Sequence, residues 1–319
     1  MELIFAHQIG FGQIQGEEFD FFLAASGYEV RSTYLSDNVN IKAKQKIALG
    51  FDEMKNSPVR IKNDKVFRER GFESFELSAK DRQKLTDLLD RLFKGRKDEK
   101  LRFLIDYSCM SKIWYAAIIR YFIENESIIS NLELYFSYTP AIFSEPKDIK
   151  PGRKISGPVG LLRPNQATVK PCALVLGLGY EKYVGESLFN NLNYDTLCVF
   201  YSNPSFDNRY VSKVVENNKK LLDTVLPEKV FSYPIEDLEK TDSVLTSLCL
   251  ELRLAYHVAL IPSGPKPFTL SCLLLAARYP DIEVWDVRTY KETVLYDRLP
   301  VGEPLVCKTL FSNNDESFF

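Results

Sequence analysis

The stretch DFFLAASGYEVRSTYLSDNV (20–39) has a second copy later in the chain, CALVLGLGYEKYVGESLFNNL (172–192). Each copy is an apolar segment followed by Gly-Tyr-Glu and then by a more polar stretch. Gly179 follows Gly27 at a displacement of 152 positions (179 − 27). Because self-similarity at a long period indicates repeated structural units, this pair predicts a duplicated fold.

Five further segments repeat in the same order and at nearly the same displacement, which supports a domain duplication. The matched segments are KIALGFDE with DTLCVFYSNP, FESFELS with KVFSYPIED, DRQKLTDLLDRLF with LEKTDSVLTSLCLELR, RFLIDYSCMSKIWYAAIIRYF with HVALIPSGPKPFTLSCLLLAARY, and NLELYFSYTP with DIEVWDVRTY.

Within each copy, short apolar strands alternate with helical stretches, a pattern typical of a parallel sheet covered on both faces. Right-handed crossovers then favour an α/β fold made of two tandem Rossmann-like, doubly wound halves related by internal duplication. We place the first half at 1–144, a Pro/Gly-rich linker or arm at 145–170, and the second half at 171–319 with a closing strand and a polar tail.

Composition excludes several classes of protein. The 319 residues are 45% hydrophobic, which is enough for a sizeable core. The 41 Lys and Arg nearly balance the 43 Asp and Glu, so a DNA-coating surface is not expected. The sequence shows no membrane-spanning run and no signal peptide. The six Cys are scattered and there are two His, so we expect a cytoplasmic protein without a metal site or cofactor.

Doubly wound folds bind ligands beyond the carboxyl ends of their strands, where the strand order reverses. In each half this point lies between the first and fourth strands, and the most distinctive loops follow these two strands. The predicted ligand-binding residues are Gly27, Tyr28, Glu29, Asp106, Ser108 and Lys112 in the first half, and Gly179, Tyr180, Glu181, Ser263, Gly264 and Lys266 in the second.

The chemistry of these loops suits an anion. Ser108 and the free amides of the following helix start are hydrogen-bond donors, and Lys112 adds a positive charge. In the second half, Ser263 is a hydroxyl donor, Gly264 lets the backbone approach a phosphate, and Lys266 supplies the charge. The sequence therefore predicts similar anion-binding parts in both halves.

The tyrosines and glutamates of the two Gly-Tyr-Glu motifs extend this interpretation. The tyrosine rings can stack on a base, and the carboxylates can accept from ribose hydroxyls or an amino group. The alternatives are structural: Ser108 and Ser111 as helix caps, the glutamates as first-turn acids, and the tyrosines as packing residues. Arg31, Arg209 and Asn217 are weaker candidates. Recurrence in both halves favours a ligand site.

The pattern Asp106-x-Ser108-x-x-x-Lys112 resembles the signature of CRISPR-associated Rossmann fold (CARF) domains, in which Asp or Asn, Ser or Thr, and a basic residue follow the fourth strand. The segment LIPSGPKPFTLS (260–271) is similar to the Thr-Gly-Gly-Thr-Lys variant of this loop. It is one residue shorter between Ser263 and Lys266 and lacks the acidic or amide residue. Two such modules in one chain resemble the SAVED domains of antiphage signalling systems.

This resemblance implies a sensor of cyclic oligonucleotides or related nucleotide second messengers in prokaryotic antiphage defence. CARF proteins bind their ligand across the twofold axis of a dimer, and the duplication would supply that symmetry within one chain. Because the two halves use almost the whole chain, the resemblance also implies a separate partner effector protein. The protein can also form a homo-oligomer, a point that the sequence does not decide.

Two other functions stay open. One is a ring-nuclease-type enzyme, a metal-independent phosphodiesterase that would use Ser108, Lys112, Ser263 and Lys266 to position and stabilise the reacting phosphate. The other is a non-catalytic scaffold subunit of a defence complex. A dehydrogenase is excluded because the first strand is not followed by GxGxxG in either half; only GLG is present at 177–179.

Overall fold

A computed structural model describes residues 1–97, 99–125, 129–147, 159–162, 169–182, 184–286 and 298–313. The chain forms two compact units. The first comprises Met1–Ile142 together with Leu295–Phe319, and the second comprises Phe143–Val294.

Strands and helices alternate through both units. The strands are β1 (Glu2–Ile9), β2 (Glu18–Ser26), β3 (Lys42–Phe51), β4 (Glu73–Leu77), β5 (Lys100–Asp106), β6 (Asn131–Tyr138), β7 (Val159–Leu162), β8 (Cys172–Gly177), β9 (Thr196–Ser202), β10 (Val230–Tyr233), β11 (His257–Pro262), β12 (Ile282–Asp286) and β13 (Leu305–Ser312). The helices are α1 (Tyr34–Asn38), α2 (Pro58–Glu69), α3 (Gln83–Phe93), α4 (Lys112–Glu124), α5 (Val184–Asn191), α6 (Asn208–Asn217), α7 (Lys219–Leu222), α8 (Leu238–Ala255) and α9 (Lys266–Arg278).

Several helices begin where the sequence supplies a capping side chain. Ser57 accepts a hydrogen bond from the backbone N–H of Arg60, and the first residue of α2 is a proline, whose fixed φ suits that position. Asp207 caps α6 and Asp237 caps α8 in the same way. These caps satisfy backbone N–H groups that have no partner within the helix.

The described strands of the first unit form a seven-stranded sheet in the order β1-β13-β6-β5-β2-β3-β4. Strands β2 to β6 are parallel, while β13 is antiparallel to both β6 and β1. Strands β2 and β5 are direct neighbours, with Ala24 opposite Asp106. The strand order reverses between them, so the loops after β2 and β5 leave from the same edge of the sheet.

The second unit repeats this arrangement. Its described strands form a six-stranded sheet in the order β10-β9-β8-β11-β12-β7, in which only the last pair is antiparallel. When the parallel strands of each unit are numbered in chain order, their order across the sheet is therefore the same in both units: third, second, first, fourth and fifth. This shared order confirms the predicted α/β class with two Rossmann-like halves, and it is what an internal duplication produces.

One predicted boundary is wrong. The closing strand β13, which we placed in the second half (171–319), lies in the first sheet and pairs with β6 over its whole length. The reason is that β6 has an edge to which a further strand can add, and β13 covers that edge with a mostly buried strand. Sequence order does not show which sheet a terminal strand joins.

In the described part of the predicted linker (145–170) there is one strand, β7, which pairs antiparallel with β12. Residues 148–158 and 163–168 of this linker lie outside the described residues, as do 287–290 of the predicted fifth strand and 314–319 of the polar tail.

Helices α4 and α9, which follow the fourth parallel strand of each unit, are the most apolar and most buried helices of their halves. Trp114 of α4 is fully buried and stacks on Phe51, with 4.2 Å between ring centroids. These two helices therefore belong to the hydrophobic cores of their units. None of the described helices combines the length and the apolar character that a membrane crossing requires.

Candidate functional site

In the first unit, the loops after β2 and β5 are in direct contact. A Cβ atom at Gly27 would lie 3.0 Å from the Cβ of Cys109, so a larger residue would force the loops apart. The Gly27 N–H donates to the Ser32 hydroxyl at 2.9 Å, which holds the β2 loop in a tight turn. The predicted meeting of these two loops at the switch point is confirmed.

Asp106 and Ser108 organise the β5 loop from within. Both side chains are buried, and the Asp106 carboxylate accepts from the backbone N–H and the hydroxyl of Ser108. The Ser108 hydroxyl also accepts from the Thr139 N–H at 2.8 Å. We predicted that the Ser108 hydroxyl donates a hydrogen bond to an anionic ligand, but it donates to Asp106 within the same loop. The geometry assigns both residues to shaping this turn.

Glu29 is also engaged within the protein. It is 7% exposed, and its carboxylate forms a 2.6 Å ion pair with Arg31 and a longer one, 3.4 Å, with Arg298. Burial is the largest single influence on the pKa of Arg31 and lowers it, but Glu29, Tyr138 and Cys109 together outweigh burial and raise the pKa well above the ordinary range. We predicted that the Glu29 carboxylate accepts hydrogen bonds from a ligand, but it pairs with the buried guanidinium of Arg31.

Arg31 connects three strand ends at this edge. Its guanidinium donates to the carbonyl oxygen of Thr139 at 2.7 Å and to that of Ser108 at 3.3 Å, and it lies 5.4 Å from the centre of the Tyr138 ring. A fully buried arginine cannot be distinguished in the sequence from an exposed loop arginine. Arg31 was a weak candidate for that reason.

Helix α2 supplies side chains that the sequence did not reveal. The Asn63 amide donates to the carbonyl oxygens of Gly27 and Glu29, at 2.9 and 3.0 Å. One residue later, Asp64 accepts from the Ser26 hydroxyl at 2.6 Å and from Arg60 at 2.7 Å. One turn of α2 thus fixes the path of the β2 loop. The only available signal was the row of polar residues within a helical segment.

Lys112 is the first residue of α4 and is half-buried. The preceding Ser111 accepts from the Trp114 N–H at 3.3 Å and donates to the Ala79 carbonyl at 2.9 Å. The structural alternative for Ser111, a helix cap, is confirmed. Tyr28 is also half-buried, with its ring centre 5.8 Å from that of Phe51.

In the second unit, the corresponding loops approach each other through their backbones. A Cβ at Gly179 would lie 2.7 Å from the carbonyl oxygen of Ser263, and a Cβ at Gly264 would lie 2.7 Å from that of Leu178. Neither carbonyl belongs to a flexible side chain that can move away. Both predicted glycines are therefore required for this close approach.

The predicted stacking role of Tyr180 is wrong. Its ring is 9% exposed and packs edge-on against Tyr210, with 5.1 Å between centroids, and beside Phe143 at 6.2 Å. The ring belongs to the hydrophobic core of this unit because burying it removes a large apolar surface from water. Glu181, in contrast, is half-buried at the loop.

Ser263 and Lys266 differ from their first-unit counterparts. Both are half-buried, and the Ser263 hydroxyl makes no hydrogen bond within the described part of the chain. Lys266 is the first residue of α9, and the residue before it, Pro265, offers no side-chain cap. This loop therefore presents a hydroxyl, a lysine and the positive end of a 13-residue helix at one point.

Comparisons with known proteins add little to this geometry. No family model matches the chain, and no curated protein matches it. Among solved structures, the chain is similar to one described as "AtPrR2 in apo form", with 11% sequence identity, coverage of 82% of this chain and 95% of that chain, and a TM-score of 0.26. A TM-score this low carries no argument about function.

Proposed function

We propose that this protein binds a nucleotide-derived anionic ligand of the cyclic oligonucleotide class, and that it acts as a sensor in a prokaryotic antiphage defence system. The observation that supports the proposal is the loop after β11, where Ser263, Gly264 and Lys266 stand at the amino end of α9. The ligand class comes from the resemblance of this loop and of residues 106–112 to CARF and SAVED proteins. The signal would pass to a partner effector protein.

The loop after β11 has the parts that hold a phosphate. The Ser263 hydroxyl can donate a hydrogen bond, the helix end carries partial positive charge, and Lys266 adds a full one. A hydrogen bond to a charged group contributes about 1.5–3 kcal/mol, and a helix end about 0.3–1 kcal/mol. The lysine should therefore contribute more to affinity than the helix end.

The first unit offers less to the ligand. Lys112 occupies the same position in its helix as Lys266, but the Ser108 hydroxyl is bonded to Asp106 and the start of α4 is capped by Ser111. We therefore assign a larger share of the binding energy to the second-unit loop. The Ser108 hydroxyl already donates to Asp106, which favours sensing over a reaction assisted by that hydroxyl.

The proposal is tested by calorimetric titration with cyclic oligoadenylates of different ring size. Lys266→Ala should weaken binding by roughly 10- to 100-fold, the equivalent of one charge-assisted contact, and Lys112→Ala should weaken it less. Matched controls are Lys240→Ala and Lys84→Ala, because these exposed lysines lie in the first turns of α8 and α3 and outside the loops that follow the first and fourth parallel strands of each unit. Both controls should bind like the wild type.

Two results would count against the proposal. One is no binding of any cyclic or linear oligonucleotide to the wild type. The other is an affinity that Lys266→Ala leaves unchanged. Conversion of the ligand to a linear product would establish the ring-nuclease alternative in place of a pure sensor.

A further inference from the structure

Strand β3 carries three lysines at alternate positions, Lys42, Lys44 and Lys46, which places them on one face of the strand. The first two meet carboxylates of the neighbouring strand β2. The distance is 3.8 Å from Lys42 to Glu18 and 2.7 Å from Lys44 to Asp20. The first two lysines thus take part in cross-strand pairs of opposite charge, which favour the pairing of the two strands.

The third lysine differs, because the described part of the chain offers it no carboxylate within 4 Å. Phe22 occupies the position opposite Lys46 in the strand register. The Lys46 ammonium donates to the Arg70 carbonyl oxygen at 3.4 Å, which is long for a hydrogen bond. The lysine side chain is nevertheless half-buried. Since an ammonium has three donor hydrogens, most of its hydrogen-bonding capacity is left for water or a ligand.

Arg70 places a second positive charge beside Lys46. Its guanidinium forms an ion pair with Asp37 at 3.4 Å, and the two side chains are 52% and 33% exposed. Because water screens a pair this exposed, the interaction is weak. The Arg70 side chain makes no hydrogen bond with the other described residues, although a guanidinium carries five donor hydrogens. It can therefore contact a ligand without giving up a strong interaction.

A cavity of about 280 Å³ opens beside these two cations. Two aromatic residues border it but contribute little surface, because Phe22 and Phe72 are 2% and 6% exposed. The lining is instead mainly polar, and its polar and charged residues are Ser36, Asp37, Asn38, Asn40, Lys46 and Arg70. The cavity therefore suits a hydrophilic ligand.

The two asparagines supply neutral hydrogen-bonding groups, and both are exposed. The Asn38 amide nitrogen donates to the Tyr34 carbonyl at 2.8 Å, which leaves its amide oxygen to accept from a ligand. The Asn40 side chain makes no hydrogen bond with the other described residues. Since an amide oxygen accepts and an amide nitrogen donates, these groups match the hydroxyls of a polyol or sugar.

We propose that this cavity binds a phosphate monoester of a small hydroxylated molecule, the chemical class of the sugar phosphates. The charged residues of the lining, Lys46, Arg70 and Asp37, sum to +1, which favours an anion over a neutral sugar. A phosphate monoester has three terminal oxygens, so it can contact the ammonium and the guanidinium together. The volume lies at the lower end of the range for ligand pockets, which limits the carrier to about one sugar ring.

This site is separate from the loops at the carboxyl edge of the sheet. Asn40 precedes β3, and Arg70 follows α2 shortly before β4 begins, so the cavity is on the side of the amino ends of these strands. The inference therefore stands independently of the proposed sensor function.

The test is a calorimetric titration of the full chain with ribose 5-phosphate, glucose 6-phosphate, inorganic phosphate and glucose. The sugar phosphates should bind more tightly than inorganic phosphate, because only they use the asparagines, and more tightly than glucose, which lacks the charge. Lys46→Gln and Arg70→Gln should each weaken sugar phosphate binding at least about tenfold, or about 1.4 kcal/mol. Asn40→Ala should weaken the binding of sugar phosphates and leave that of inorganic phosphate unchanged.

Two control variants keep the test decisive. Lys44→Gln, on the same face of β3 but paired with Asp20, should bind sugar phosphates like the wild type. Lys266→Ala should do so as well, which separates this cavity from the loop after β11. Arg70→Gln alters an exposed side chain, so it still tests the site if Lys46→Gln fails to fold.

Three results would overturn the proposal. The first is that neither sugar phosphate binds the wild type. The second is that inorganic phosphate or glucose binds as tightly as the sugar phosphates. The third is that Arg70→Gln and a folded Lys46→Gln keep wild-type affinity for them.

Discussion

Replacing Gly50 with alanine should destabilise the first unit strongly. Gly50 lies near the end of β3, and the fully buried Arg60 side chain passes directly over it. An added Cβ would overlap both the Arg60 guanidinium and the Glu76 carboxylate. The guanidinium cannot easily move aside, because it donates to the Phe51 carbonyl at 2.8 Å, to Asp64 at 2.7 Å and to Glu76 at 2.5 Å.

The size of the destabilisation depends on how far the Arg60 guanidinium and the Glu76 carboxylate must move to make room for the new Cβ. Overpacking alone costs about 1–3 kcal/mol. If the guanidinium is displaced, its hydrogen bonds to charged groups weaken, and each contributes about 1.5–3 kcal/mol. Because Asp64 and Glu76 are partly exposed, water recovers some of that loss. We therefore expect Gly50→Ala to lower the free energy of unfolding of the first unit by about 3 kcal/mol.

The measurement is urea unfolding followed by tryptophan fluorescence in a Trp285→Phe background. The remaining tryptophan, Trp114, is stacked on Phe51 beside the substituted position and reports the first unit alone. Gly12→Ala is the matched control, since its added Cβ would meet no atom within 4 Å, and it should change the free energy by less than about 0.5 kcal/mol.

A double-mutant cycle sharpens the result. Arg60→Met removes the group that the new Cβ would strike, so Gly50→Ala should cost at least about 1 kcal/mol less in that background than alone. If Gly50→Ala unfolds at the wild-type urea concentration, the close packing of Arg60 over Gly50 is refuted.

Three other predictions address buried and titrating groups. Arg31→Met should lower the free energy of unfolding by about 3 kcal/mol in urea, because it removes the shorter of the two ion pairs of the buried Glu29 carboxylate and leaves only the one with Arg298, whereas exposed Arg209→Met should change it by less than about 1 kcal/mol. Burial and the Asp90 carboxylate raise the pKa of Tyr121 above its ordinary value of 10.0, so the folded state holds this proton more tightly than the unfolded state. Stability should therefore fall as pH rises above 10.0, and less in Tyr121→Phe, as urea midpoints at several pH values will show. One thiol, the half-buried Cys172, should react with a thiol reagent before the five buried ones in the native protein, and all six should react in denaturant; burial raises the pKa of Cys172, so its reaction should be slow at neutral pH and become faster as pH rises.

The order of elements could be predicted from the sequence because it depends on local patterns. Short apolar strands, amphipathic helices and the repeated Gly-Tyr-Glu motif are all visible within short windows of sequence. Their repetition then led to two sheets of the same order, and to the pairing of β2 with β5 and of β8 with β11. The position of β13 could not be predicted, because adding a strand to an open edge is a long-range choice.

The candidate site was predictable in position but not in the use of each side chain. The glycines are where close approach of the loops requires them, and Lys112 and Lys266 begin their helices. The roles of Ser108 and Tyr180 depend on contacts with Thr139 and Tyr210, which lie outside the motifs.

The sequence by itself determined the α/β class, the duplication and the loops that follow the first and fourth strands, because each is encoded by residues close together in the chain. Only the tertiary structure decided which polar groups in those loops remain available. Ser108 bonds to Thr139, 31 residues away, and Glu29 pairs with Arg298, 269 residues away. A buried polar group takes the partner that reaches it in space, since leaving it unpaired costs more than any local preference provides.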